Sequence, residues 1–535
     1  MSDPAHADRL GDHSSSTGRR PQSLDRALER FTSELGVEHV LTGRAELRDF
    51  RDPFAFAGWE ERAPAAALLP STVEQVQAIV RVAAEEGVPL WAHSTGRNNG
   101  YGGAGPLLGG TVLLSLRNMN RVIELDGELG YAVVEPGVRW FDLYEAIEQA
   151  GLDLMVSIAD LGWGGPVGNM LENGVTYLPY GIDWVAQCGM EVVLPSGELL
   201  RTGMGAMPGN RAWNLYKRGL GPNLDPLFTQ SNFGIVTKLG VQLMPKPEVY
   251  RPIWVRVWRD DDIAPLIDTL RTLLLDGTLR MVPTILNTLN TAALHTARAD
   301  WFAGEGPIPE GEIDRIAREM DAGRWMMRLG LYGDEPVVAH RFEKVRAAFE
   351  RIPGADVRSE RSFGREEFAL IENGSEKTMA GIPNMAFTHI TRWAGGDSGG
   401  HIGFSPVVPM TGSEILRARG VLREKVQAAG MDYIAGLLGI SARSLIHITM
   451  LMFDTADEAG TRTAYDLARE LVVGCAPHGY GEYRAHVDFM DAAAAQYSFG
   501  DHAYRRFCET LKDAIDPAGI LAPGKNGIWP AHMRG

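Results

Sequence analysis

One ten-residue stretch limits what this chain can become: Ser94-Thr95-Gly96-Arg97-Asn98-Asn99-Gly100-Tyr101-Gly102-Gly103. The apolar run Val88-Pro89-Leu90-Trp91-Ala92 enters it, and Gly110-Thr111-Val112-Leu113-Leu114-Ser115-Leu116 leaves it. A strand, a glycine-rich loop and a second strand is the natural reading. Glycine admits positive φ and close approach, so consecutive N–H groups can converge on one oxyanion. Arg97 adds a fixed positive charge and Asn98 further donors, which suits a pyrophosphate better than a neutral ligand. The stretch is neither a Walker loop, lacking Gly-Lys-Ser/Thr, nor the GxGxxG turn of a Rossmann unit. On these residues alone a plain glycine-rich turn remains the alternative.

With 535 residues the chain exceeds one small core, and two or more domains are expected. A formal charge of −16 argues against nucleic acid or an anionic membrane as partner. Cys188, Cys475 and Cys508 are too widely spaced for a disulfide framework or a metal site, which fits a reducing cytoplasm. No run has the apolar length of a membrane span. Residues 1–22 are polar, with Ser14-Ser15-Ser16 and Arg19-Arg20 but no apolar stretch behind them. They read as a disordered arm and not as a signal peptide.

Further along, Leu24, Leu28, Phe31 and Leu35 share one helical face, with Ser23 as cap candidate and Gly36 as stop. Ala67-Leu68-Leu69-Pro70-Ser71-Thr72 predicts a strand end, a break and a helix capped by Ser71 or Thr72, with Glu74 at the third position after Ser71. That helix runs to about Glu86, and with the strand before the loop it makes a β-α-β unit. Between 110 and 245, short apolar runs divided by glycine predict a mostly antiparallel sheet. The proline pair in Lys246-Pro247-Glu248-Val249-Tyr250-Arg251-Pro252 marks a boundary. Beyond it, helices near 261–275, 311–321, 336–351, 412–429 and 457–473 alternate with short strands as a second α+β domain. A last helix over Tyr504 to Ala514 leads to Ala522-Pro523-Gly524-Lys525.

Four strings resemble one family, the vanillyl-alcohol oxidase/p-cresol methylhydroxylase flavoproteins. They are Ser94–Gly103, Asp160-Leu161-Gly162-Trp163-Gly164-Gly165-Pro166-Val167-Gly168-Asn169, Gln230-Ser231-Asn232-Phe233-Gly234-Ile235-Val236-Thr237-Lys238 and Pro523-Gly524-Lys525. The resemblance runs in order over roughly residues 40–535. It implies an α+β fold of two parts: an FAD-binding domain over 23–246 and an inserted α+β cap, or substrate, domain over 247–500. The C-terminal segment 501–535 would return to the FAD domain. The FAD pyrophosphate would sit on the N–H groups of residues 96–103, among them Gly96, Gly100 and Gly102, with Ser94, Arg97, Asn98 and Asn99 alongside. Gly165, Gly168, Asn169 and the backbone of Gly234, Ile235 and Val236 would approach the cofactor, and Lys525 would add a positive charge.

In Gly399-Gly400-His401-Ile402-Gly403-Phe404-Ser405-Pro406, His401 matches the histidine that the family bonds covalently to the flavin 8-methyl carbon. A neutral imidazole is a competent nucleophile for that bond; a hydrogen-bonded strand histidine is the plainer alternative. Cytochrome-coupled p-cresol dehydrogenases use a tyrosine here. The histidine therefore points to the oxidase branch, to bacterial eugenol and vanillyl-alcohol oxidases, and to O2 as electron acceptor giving H2O2. A cytochrome-coupled dehydrogenase stays as the alternative.

Gly479-Tyr480-Gly481-Glu482-Tyr483-Arg484-Ala485-His486 resembles the family segment whose Tyr-Arg pair binds a phenolate. Tyr483, Arg484 and Tyr101 would surround one anion and lower the bound phenol's pKa. Neighbours on a regular strand point to opposite faces, so Tyr483 and Arg484 can share a ligand only on an irregular backbone, which Gly479 and Gly481 permit. Asp160 resembles the family acid beside the reacting benzylic carbon, acting as a base or as a charge partner; a turn cap is its alternative. The resemblance implies hydride loss from the para-benzylic carbon of a phenol such as vanillyl alcohol or eugenol to flavin N5, through a p-quinone methide. Gly403 and Gly436, with Ser405, are read as pocket positions that leave room for a propenyl or longer para substituent. The connection 203–216 is longer in octameric fungal relatives, which implies a homodimer here. The other histidines show no metal-ligand spacing, so no metal is expected.

Overall fold

The computed structural model describes residues 22–534 apart from 57, 58 and 182. The arm expected to be disordered thus lies outside the described residues, except for Gln22, which opens the helix Gln22–Leu35. That helix begins before Ser23, so Ser23 does not cap it; Leu24, Phe31 and Leu35 are buried as their spacing requires.

The first sheet holds β1 (Val40–Leu41), β2 (Ala66–Leu68), β3 (Leu90–His93) and β4 (Val112–Ser115) in the order β1-β2-β4-β3. β2 and β3 both run parallel to β4, so the expected β-α-β unit forms with β4 between its two strands. Its helix, Val73–Glu86, is capped by Thr72, whose Oγ1 accepts from the Gln75 N–H at 3.2 Å. The Gln75 side chain accepts from the Ser71 N–H at 2.8 Å, so the partner is Gln75 and not Glu74. Gly87, left-handed at φ 66°, ends it.

The second sheet contains β5 (Val122–Asp126), β6 (Tyr131–Val134) and, past the short β7 (Leu154–Met155), β8 (Gln187–Val193), β9 (Leu199–Arg201) and β10 (Ile235–Gln242). Its order is β5-β6-β10-β8-β9, and every pair is antiparallel. β7 pairs with β11 (Met244–Pro245).

The third sheet has nine strands: β12 (Val249–Val257), β13 (Thr284–Asn287), β14 (Trp325–Gly333), β15 (Asp356–Arg358), β16 (Phe363–Gly364), β17 (Gly399–Phe404), β18 (Val407–Pro409), β19 (Ile434–Leu438) and β20 (Ser444–Asp454). Its main path is β15-β12-β14-β13-β19-β20-β17. One face packs on the helices Ile263–Leu275, Glu335–Phe349, Gly412–Ala428 and Glu458–Gly474, whose bounds fall within two residues of expectation. Ile285, Met327, Ile402, Phe404, Ala435 and Leu437 lie in that core.

Register decides what the other face carries. Directly opposed residues in a sheet share a face, as do residues two apart on one strand. His401 lies opposite Met452, Gly403 opposite Met450, and Met450 opposite Ile434. Gly436 lies opposite Leu286, and Thr284 opposite Arg328. His401, Gly403, Gly436, Leu286, Thr284 and Arg328 therefore stand in one layer, turned away from the helices.

The chain's last part returns to the first sheet. Leu521 forms a parallel bridge with Leu90, the Leu90 N–H donating to Ile520 O at 2.8 Å and the Ala522 N–H to Leu90 O at 2.7 Å. The preceding helix, Phe499–Ile515, starts earlier than expected, through left-handed Gly500, Asp501 and His502. On it, the fully buried Lys512 ammonium donates to Asp516 at 2.7 Å, Asn232 O at 3.0 Å and Leu521 O at 2.6 Å. Lys512→Met strands the buried Asp516 carboxylate, and removing one partner of a buried pair costs about 3–5 kcal/mol. Denaturant unfolding of that variant is expected to show a loss of this size, and Lys512→Met/Asp516→Leu should recover part of it.

Candidate functional site

The glycine loop lies between β3 and β4. Gly96, Gly100, Gly102 and Gly103 all have positive φ. At two of them a side chain is also excluded by neighbours: a Cβ on Gly100 would stand 2.7 Å from His401 Nε2, and one on Gly102 would stand 2.5 Å from Val487. The N–H groups of Tyr101 and Gly103 donate to Asn98 O at 3.2 and 3.1 Å, so the loop closes on itself. Among the described residues, no backbone carbonyl takes the N–H of Gly96, Arg97 or Asn98. The same holds for Asn99, Gly100 and Gly102, so N–H groups without a backbone acceptor run through most of the expected 96–103.

The loop opens on a cleft with about 1380 Å³ of empty space, its mouth included. Ser94, Gly96, Arg97, Asn98, Tyr101, Gly102, Gly165, Gly168, Asn169, Gly234, Ile235, Val236, Arg484 and Lys525 line it. Asn99 and Gly100 do not, because the self-closing turn carries them towards His401. A Cβ on Gly168 would collide with the Ser94 hydroxyl, so glycine there brings the short helix Pro166–Leu171 against the loop. Lys525 forms an ion pair with Glu172, which also lines the cleft, and so does not bring an uncompensated charge. Arg97 is exposed, its guanidinium 5.5 Å from the Trp163 ring centre.

Sequence reasoning passed over two acceptors in this cleft. His93 Nδ1 faces Ser94 O at 3.3 Å and carries the proton, leaving the buried Nε2 without a partner. Burial pushes the His93 pKa down to about 4, so the ring is neutral. Asn232 donates through Nδ2 to Ala522 O and Ile528 O, both at 3.0 Å, while its buried Oδ1 has no partner.

Tyr101, Tyr483 and Arg484 converge. The Arg484 guanidinium lies 4.3 Å from the Tyr101 ring centre and donates to Asn98 Oδ1. Burial, then the neighbouring Tyr101 hydroxyl, pushes the Tyr483 pKa well above the usual tyrosine range. The backbone bends at Tyr483 and Arg484, after left-handed Gly479, which resolves the alternation problem. Contacts from Gln230 and from Ser405, missed in the sequence, hold the bend. Gln230, from one of the motif strings, donates Nε2–H to Tyr483 O at 2.9 Å. The buried Glu482 carboxyl accepts the Ser405 N–H on both oxygens at 3.1 Å, and the Tyr483 N–H donates to Ser405 O at 3.3 Å. Ser405 thus supports the bend through its backbone.

Asp160 is not a free carboxylate at a turn. Arg328 donates to Oδ1 at 2.8 Å and the Tyr177 hydroxyl donates to Oδ2. Arg328 also lies 4.4 Å from the Tyr177 ring centre. Burial, then the Asp160 charge, holds the Tyr177 phenol far above its ordinary pKa and so keeps it a donor. Neither partner was named from sequence. Arg328 carried a signal: one charge inside the apolar run Trp325-Met326-Met327-Arg328-Leu329 implies a buried partner.

His401 extends from β17 to the glycine loop, its ring 5.3 Å from that of Phe54. Burial pushes its pKa down to about 4, and its buried Nδ1 has no partner. The two pocket glycines differ. A Cβ on Gly403 would stand 2.9 Å from the Thr449 carbonyl oxygen, so this glycine serves strand packing. A Cβ on Gly436 would make ordinary contact with Asn290 Nδ2 at 3.4 Å and Leu286 at 3.5 Å, so strand packing does not require glycine there.

Comparison with known proteins agrees with this geometry. Residues 64–203 match the FAD binding domain family, and residues 261–526 match the C-terminal domain of FAD linked oxidases. Such a pair of matches defines an FAD-binding oxidoreductase. The 4-cresol dehydrogenase [hydroxylating] flavoprotein subunit of Pseudomonas putida is 35% identical over 508 residues, covering 94% of this chain and 96% of the relative. The solved 4-ethylphenol oxidase from Gulosibacter chungangensis, in complex with isoeugenol, superposes with a TM-score of 0.92 at 38% identity, over 97% of this chain and 99% of that one. Substrate-bound p-cresol methylhydroxylase gives 0.90 at 34% identity, over 96% and 98%. The chain belongs to the vanillyl-alcohol oxidase/p-cresol methylhydroxylase family. FAD fits the cleft: N–H groups without a backbone acceptor at Gly96, Arg97, Asn98 and Gly102 suit its phosphates, and the acceptors of His93 and Asn232 suit its hydroxyl and ring N–H groups.

Burial raises the Glu482 pKa to about 8, against the opposing hydrogen bonds to its charged form. From pH 4.5 to about 8 the folded chain holds a proton that the unfolded chain gives up. Its contribution to stability is complete below that window and lost as pH rises through it. The melting-temperature difference, wild type minus Glu482→Gln, is expected to fall steadily between pH 5 and pH 8 in a scan by differential calorimetry.

Proposed function

We propose that this protein oxidises para-substituted phenols, 4-hydroxybenzylic alcohols and 4-alkyl- and 4-allylphenols such as vanillyl alcohol or eugenol, with FAD and O2, giving H2O2. The convergence of Tyr101, Tyr483 and Arg484, together with a sheet face whose Arg328 holds Asp160, supports this reading most. When bound, FAD supplies the hydride acceptor, N5. Tyr101 and Tyr483 donate hydrogen bonds to the phenol oxygen, and the Arg484 guanidinium stabilises its charge, so the phenol binds as phenolate. Electron density pushed through the ring labilises a hydride at the para-benzylic carbon, leaving a p-quinone methide. Asp160, held in place by Arg328, stabilises the positive character that develops there and takes the proton of an attacking water or of a benzylic alcohol. The buried neutral imidazole of His401, with its unpaired Nδ1, would hold the flavin through its 8-methyl carbon, the ring nitrogen replacing a methyl hydrogen that leaves as a proton while O2 takes the two electrons.

In this reading residues 23–246 and 501–535 form the FAD domain and 247–500 the cap. The third sheet beginning at Val249 and the bridge from Leu521 to Leu90 support the division. The protein works as a cytoplasmic homodimer, which light scattering tests. A second reading, electron transfer to a cytochrome, is favoured by the identity to a chain called a dehydrogenase flavoprotein subunit. Reduced flavin reoxidising faster with cytochrome than with air would select it.

Anaerobic mixing of the FAD-loaded protein with 4-ethyl-, 4-propyl- and 4-allylphenol is expected to bleach the flavin, and Asp160→Ala to slow bleaching by at least about a hundredfold with FAD still bound. No bleaching by any phenol would overturn the assignment. Acid precipitation should leave the yellow flavin in the protein pellet for the wild type and in the supernatant for His401→Ala.

A further inference from the structure

Helix Thr288–Ala293 follows β13 directly and lies over the site face of the third sheet. Within it Asn290 is fully buried, yet neither Oδ1 nor Nδ2 of its amide has a hydrogen-bond partner among the described residues. Buried polar groups are ordinarily paired, so an amide unpaired at both ends points to a partner from elsewhere. Its direction is fixed: Nδ2 lies 3.4 Å from the position a Gly436 Cβ would take, in the layer that also carries His401 and Arg328. Thr284, on the same face and opposite Arg328, is buried with its own hydroxyl unpaired. From Gly436 the register leads across Leu286 and Thr284 to Arg328, and Arg328 holds Asp160.

We propose that Asn290 forms a polar subsite for the para side chain of the phenol and selects chains that carry a hydroxyl beyond the benzylic carbon. This rests on the phenol-oxidising reading above and extends it. A hydroxyl satisfies both ends of the amide, accepting from Nδ2–H and donating to Oδ1. A hydrocarbon chain satisfies neither end, and a carbonyl satisfies one. A carboxylate repels Oδ1, and the nearby cation, Arg328, is already engaged by Asp160. A site built to bond a substrate hydroxyl discriminates strongly against the analogue lacking it, because its own polar groups are then left unpaired.

Anaerobic flavin reduction separates the possibilities, using the FAD-loaded protein with 4-propylphenol, 4-(3-hydroxypropyl)phenol and 3-(4-hydroxyphenyl)propanoate. The wild type is expected to prefer the hydroxypropyl compound over 4-propylphenol by about tenfold or more in reduction rate over dissociation constant, with the propanoate poorest. Asn290→Leu should reverse the preference between the first two while its melting temperature holds or rises, since an unpaired buried amide has been removed. Equal use of the propyl and hydroxypropyl compounds by the wild type overturns the subsite and leaves the phenol reading standing, whether or not the variant folds. An unchanged preference in a folded Asn290→Leu variant does the same. Failure of all three compounds to reduce the flavin, with 4-ethylphenol failing too, overturns the phenol reading and the subsite with it.

Discussion

A carboxylate set into a largely buried site needs a cation within hydrogen-bonding reach, and for Asp160 that cation is Arg328, 168 residues away. The two come from different sheets' surroundings: Asp160 from the loops after the second sheet's early strands, Arg328 from the middle of β14. Neither charge tolerates loss of the other, since an uncompensated buried ion is expensive. The pair therefore fixes how the third sheet lies against the glycine-rich half. Tyr177 completes the clamp by giving the second carboxylate oxygen a donor.

Once Arg328 is placed, register does the rest. Pairing in a sheet is specified residue by residue, and a slip of one turns every side chain to the opposite face. The helices packed on the other face hold Met327, Ile285, Leu437 and Phe404 in their core, which forbids such a slip. His401, Gly436 and Arg328 are thus held in one layer by packing on the reverse side of the sheet. The reactive groups need no contacts of their own to find their places. The Tyr-Arg segment is different: consecutive residues can meet one ligand only on a bent chain, and backbone contacts from Gln230, Ser405 and Glu482 maintain the bend.

Much of this was legible in the sequence. Amphipathic helices such as Val73–Glu86 announce both ends through caps and periodicity, and the loop between β3 and β4 announces its turns through its glycines. The long strands β12, β14 and β20 were harder to read, because strands covered on both faces lose the period-two alternation that marks a half-exposed strand. Side-chain partners across the chain were harder still. Lys525 pairs with Glu172, 353 residues away, and the buried Asn290 amide has no partner among the described residues. Both depend on distances that no local pattern encodes. Glu482 lay inside the quoted motif, yet its proton depends on burial and not on residue type.

The tail's docking has a temporal side. The cofactor cleft is bounded by the loop at Ser94, by Asn232 and by Ala522 and Lys525, and Asn232 bonds to Ala522 across a separation of 290 residues. A ribosome making this chain exposes the glycine loop early, but the wall opposite does not exist until translation passes residue 525. The whole cap is synthesised in between. A half-made chain therefore carries the glycine loop with no closed cleft beside it, and the cleft is complete only after the cap strands are available to pair.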